Sequence, residues 1–116
     1  MTISFGHNLP WGGVNPQEYK RKAQDLRHGL AYRLHFAALG WADRHGHAAF
    51  GPGKLAALLG KDGKPLSVQS TNNAIARAKQ LELVSPSSGA ACLVLPTYLF
   101  QKGKGAPVPC RLHSDR

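Results

Sequence analysis

The fold of this chain is decided by residues 51–95, GPGKLAALLGKDGKPLSVQSTNNAIARAKQLELVSPSSGAACLVL. Gly51-Pro52-Gly53 opens a short helix through Leu55, Leu58 and Leu59, and Gly60 closes it, the order in which proline starts and glycine ends a helix. Lys61-Asp62-Gly63-Lys64-Pro65 has the composition of a loop. Ser67 is of the type that caps a helix. From it a longer helix runs to about Leu83, with Thr71, Ala74, Ile75, Ala78 and Leu81 at the three-and-four spacing of a buried stripe. Leu83 to Ser85 and Ala90 to Leu95 then read as two strands of a hairpin across Pro86-Ser87-Ser88-Gly89. Leu93-Val94-Leu95 is apolar at every position, which predicts a strand covered on both faces or central in a small sheet.

If that stripe is buried, the helical period turns Gln69, Ser70, Asn73, Arg77 and Gln80 outward, with Asn72 and Lys79 on the flanks. Asn and Gln can form paired hydrogen bonds to adenine, Arg can do so to guanine, and Ser serves either a base or a phosphate. A surface shaped only for helix stability would favour Glu, Lys or Ala over two consecutive Asn. Gln69, Ser70, Asn73 and Arg77 are therefore the expected base-contacting residues. Lys54, Lys61, Lys64, Asn72, Lys79, Ser87 and Ser88 are expected at flanking phosphates, where contacts position a protein without reading sequence. About six phosphate contacts predict a log-log salt slope of roughly −5.

Upstream, residues 1–14 contain Gly6, Pro10, Gly12 and Gly13 and read as an irregular leader that packs Trp11 on the body. Asn15, Pro16 and Glu18 form a helix start. Tyr19, Ala23, Leu26, Leu30, Leu34, Ala37 and Trp41 then draw one apolar stripe, predicting a single long core helix whose other side, with Lys20, Arg21, Lys22, Arg27, His28, Arg33 and Arg44, is basic. His47 to Phe50 is long enough for a minimal strand. Residues 15–100 thus form one domain, mainly α with a small antiparallel β-sheet (α+β). Residues 101–116, with Lys102, Lys104, Arg111 and Arg116 among Gly and Pro, read as an extended basic tail.

At 116 residues the chain holds one modest core, and 15 Lys and Arg against 6 Asp and Glu leave a formal charge of +9, which favours a polyanionic partner. No apolar run reaches the ~20 residues of a membrane span. Met1 to Pro10 lacks the basic start and apolar stretch of a signal peptide, so a cytoplasmic, nucleoid-associated protein is expected, with Cys92 and Cys110 as thiols. Cys92, Cys110 and His113, with His47, are soft zinc-ligand types but lack a second close pair, so no metal is expected. The scattered acids, with no nucleophile elbow and no phosphate loop, lead us to expect no enzyme, cofactor or small-molecule ligand.

The segment from His35 to Val84, HFAALGWADRHGHAAFGPGKLAALLG followed by VQSTNNAIARAKQLELV, resembles the winged helix-turn-helix domains of bacterial, plasmid and phage regulators and of some replication initiators. The likeness lies in a long helix ending near Gly46, an aromatic and Gly-Pro before Leu55 to Gly60, and Thr71 with Ala74-Ile75 ahead of Leu81, Leu83 and Val84. The resemblance implies a sequence-specific double-stranded DNA binder, transcriptional and repressor-like, whose helix after Ser67 enters the major groove. One departure is that Lys61 to Leu66 lengthens the usual short turn between the two helices. A homodimer is expected, since operators are commonly palindromic and the long first helix offers an interface. The alternatives are a replication-initiation or architectural DNA-binding protein, or a protein-interaction module on the same fold.

Overall fold

Asn15 starts the first helix by accepting the Gln17 N–H on Oδ1 at 3.0 Å, with Pro16 at the first helical position, where a missing N–H costs nothing. In the computed structural model, which describes residues 3–7 and 9–101, the elements run α1 (Pro16–Ala23), α2 (Leu30–Trp41), β1 (His47–Ala49), α3 (Lys54–Leu59), α4 (Val68–Gln80) and β2 (Cys92–Val94). The fold is mainly α with a two-stranded antiparallel sheet. Residues 102–116, and with them most of the expected basic tail, lie outside the described residues.

The single long helix expected over residues 15–45 is instead two helices folded back on each other. Asp25 breaks it: its Oδ1 accepts the Arg27 N–H at 3.0 Å and its Oδ2 pairs with the Arg27 guanidinium at 2.7 Å, a local bond that competes with helix continuation. Gly29, costly inside a helix, becomes the N-cap of α2. Ala23, Leu34 and Ala37 of the predicted stripe are fully buried, whereas Leu26 falls in the break and is 53% exposed. The two helices approach closely at Gly40, where a Cβ would come within 2.9 Å of the Lys20 backbone nitrogen. Lys20 then extends its ammonium over the Trp41 ring, 5.2 Å from the centroid.

Arg33 departs from expectation in the same way. It is buried, not part of a basic surface: Nε donates to the Ala23 carbonyl at 2.8 Å, and the terminal nitrogens donate to Leu59 at 3.2 Å and Leu58 at 3.4 Å. One guanidinium thus serves the otherwise open carbonyls at the C-terminal ends of both α1 and α3.

The core gathers Leu34, Leu55, Leu59, Val84, Leu93 and Leu95 between α2, α3, α4 and the sheet. β1 pairs antiparallel with β2 in the register His47↔Val94, Ala48↔Leu93 and Ala49↔Cys92. The hairpin expected between Leu83–Ser85 and Ala90–Leu95 is reduced to one ladder bond, Ser85 N–H to the Val94 carbonyl at 2.7 Å. Ser88 explains why. Its buried hydroxyl accepts the Val94 N–H at 2.8 Å and donates to the Val94 carbonyl at 3.2 Å, so a side chain does what a longer strand would have done.

His35, half-buried on α2, links this layer to the chain leaving α4, with Nδ1 2.8 Å from the Leu83 carbonyl. The carbonyl only accepts, so Nδ1 carries the proton. Burial pulls the imidazole below its usual value of 6.5, and the bond to Leu83 only partly opposes this. The unfolded chain therefore takes up this proton at a higher pH than the folded one. His35 contributes its full stability above about pH 6.5, and that contribution is lost as the pH falls from there through its own lower pKa. His35→Gln, which keeps an N–H donor for Leu83, should flatten the slope of unfolding free energy against pH below 6.5 in urea titrations. An unchanged slope would remove His35 as its source.

Candidate nucleic-acid interface

α4 is a 13-residue helix built as its stripe predicts. Ser67 caps it, its Oγ accepting the Ser70 N–H at 3.0 Å, and Thr71, Ala74, Ile75 and Ala78 are buried. It ends in a Schellman turn in which Leu83 N–H reaches the Ala78 carbonyl at 2.9 Å and Glu82 N–H the Lys79 carbonyl at 3.0 Å, with Glu82 in the left-handed region at φ 60°.

The side turned away from the core carries Gln69, Asn72, Asn73, Arg77 and Gln80, all exposed, with Ser70 half-buried at its edge. Gln69 Nε2 donates to Asn73 Oδ1 at 3.2 Å and Arg77 to Gln80 Oε1 at 3.4 Å, so the long side chains brace one another along the helix. Ser70, Asn73 and Arg77 share an open groove with Gly29, Leu30 and Tyr32 at the start of α2. Three of the four expected base-contacting residues therefore line one feature. Tyr32, 48% exposed in that groove, was not among the expected residues, because its place beside α4 depends on how α2 crosses it.

The longer connection before α4 proves to be ordered by its own turn. Lys61 and Lys64 exchange both backbone hydrogen bonds at 3.0 Å across Asp62 and Gly63, whose φ values are 53° and 75°. Two successive positive φ values make this a type I′ turn, for which Asp-Gly is a preferred pair. Residues that exchange both bonds present their side chains on the same face, so the two lysines stand side by side. They line one groove with Ser67, the cap of α4.

The remaining expected phosphate contacts are scattered around this surface. Lys54 is exposed at the first position of α3, and Ser87 is exposed in the turn before β2. Lys79 is half-buried at the far end of α4, in a groove with Glu82, Ser85, Pro86 and Tyr98. Ser88 does not belong to the set: it is 5% exposed and its hydroxyl is spent on Val94. The residue without a sequence-based role that most alters the surface is Val68, whose side chain stands in solvent at the first position of α4.

The ion pairs Arg21–Glu18 and Arg27–Asp25 lie in or just after α1. The α4 surface carries no acid from Val68 to Leu81. His47 Nδ1 lies 3.7 Å from the Cys92 sulfur across the sheet, while Cys110 and His113 lie outside the described residues. No helix among the described residues is long and apolar enough to cross a membrane. Comparison of the chain with protein-family models, with curated proteins and with solved structures finds no match.

Proposed function

We propose that the chain is a sequence-specific double-stranded DNA-binding regulator of winged helix-turn-helix type, repressor-like, with α4 as the helix that enters the major groove. The observation that carries this reading is the outward side of α4: amides and an arginine, braced against one another and without an acid, presented to solvent beside a two-lysine turn. The element order supports it as well. A helix, a short strand, two helices and a returning strand is the order a winged helix-turn-helix uses, with residues 85–91 as a minimal wing. Gln69, Ser70, Asn73 and Arg77 would contact bases. Lys54, Lys61, Lys64, Asn72, Lys79 and Ser87 would contact the backbone, drawing on the overall charge of +9. On a palindromic operator the chain would act as a homodimer.

Selecting bound sequences from a random duplex library tests this directly, and two variants then separate the roles. Arg77→Ala should cost about 1 to 3 kcal/mol and relax the preference at one base pair. Lys64→Ala should weaken all duplexes alike and lower the salt slope by about one. Identical behaviour of the two variants would refute the division into base and phosphate contacts.

A further inference from the structure

Val68 is 78% exposed, more than any other large hydrophobic side chain among the described residues, and it opens the helix proposed to read DNA. Stability does not account for it. A β-branched residue lowers helix propensity, an exposed isopropyl group buries nothing, and an acid at this position would gain from the positive end of the helix. Yet the first turn of α4 contains no acid. The neighbours on the presented side, Gln69, Asn72 and Asn73, all offer hydrogen bonds, so Val68 brings the apolar contact to that end of the helix. A DNA major groove displays donors, acceptors and one apolar group, the C5 methyl of thymine. In helix-turn-helix docking it is the N-terminal residues of the reading helix that meet base edges.

We propose that Val68 packs on the C5 methyl of a thymine in the target site and makes that position selective for it. The inference rests on α4 reading DNA and adds to that reading an apolar contact. The test uses the full chain and the duplex chosen from a random library, with each thymine replaced in turn by deoxyuridine, which removes the methyl and leaves base pairing intact. One replacement should weaken wild-type binding about fourfold, the equivalent of one buried methyl group. Val68→Ser should lose that sensitivity and Val68→Ile should keep it. Because the side chain stands in solvent, neither variant disturbs packing, and unchanged thermal denaturation checks this. Specific binding by a wild-type protein that tolerates every deoxyuridine, a Val68→Ser variant as sensitive as wild type, or a selected site without thymine would overturn the proposal while leaving the DNA-reading assignment standing. Binding with no sequence preference would overturn both.

Discussion

Replacing Arg33 by methionine is expected to destabilise the fold by about 3 kcal/mol, or roughly 15 °C in Tm for a domain of this size. A buried charge can often be exchanged for an apolar side chain at little cost when its ionic partner is removed with it. That route is closed here. The partners of Arg33 are main-chain carbonyls of Ala23, Leu58 and Leu59, which no side-chain substitution can delete. Methionine fills much of the volume but leaves the C-terminal carbonyls of α1 and α3 without donors in a site that is 3% exposed. Arg33→Lys should be nearly as damaging, because one ammonium cannot span acceptors that the planar guanidinium reaches together. Urea or thermal denaturation followed by circular dichroism measures the effect, and a methionine variant within 1 kcal/mol of wild type would show that the guanidinium does not join the two helix ends.

Gly60→Ala is expected to cost a similar amount, about 3 kcal/mol, at the upper end of what overpacking produces. Its φ of −71° and ψ of −174° suit any residue, so backbone strain is not the reason. The reason is distance. An added Cβ would collide with the Lys64 carbonyl oxygen and sit 2.9 Å from Pro65 Cα, both main-chain atoms that cannot swing aside. The Lys61–Lys64 turn must open to admit it, and both lysines would leave their places beside Ser67. Gly63→Ala makes the comparison. There φ is 75° with open space around the position, so the penalty is the left-handed strain of roughly 1 to 2 kcal/mol. Thermal denaturation should rank Gly60→Ala below Gly63→Ala. DNA binding by Gly60→Ala, measured below its melting temperature, should fall further than for Lys64→Ala alone. The reverse order in stability would mean that the turn is looser than its two exchanged hydrogen bonds imply.

α4 was legible from the sequence because three independent signals agree on it: the Ser67 cap, the stripe from Thr71 to Ala78, and the polar residues between them. β1 was legible as a short apolar run. Spacing alone does not register the reversal between α1 and α2. Ala23 and Leu34 are buried on both readings, and only the Asx turn at Asp25 and the cap at Gly29 divide them. Charge alone places Arg33 at the surface. Its burial depends on carbonyls 10, 25 and 26 residues away that converge only after α1 and α3 have packed. The turn before α4 has its own signature in Asp62-Gly63, which the loop-like composition of Lys61 to Pro65 masks. Ser88 shows the opposite case, since nothing in Pro86-Ser87-Ser88-Gly89 distinguishes the hydroxyl that bonds β2 from its exposed neighbour.

Discrimination among DNA sequences is what the outward side of α4 is proposed to provide. The direct measurement is the ratio of dissociation constants for the duplex selected from a random library and for a shuffled duplex of the same length and composition, both at one physiological salt concentration. A ratio of about 10³ or more, falling about fivefold or further in Arg77→Ala, is expected. Equal affinity for the two duplexes, or a ratio that Arg77→Ala leaves unchanged, would contradict it.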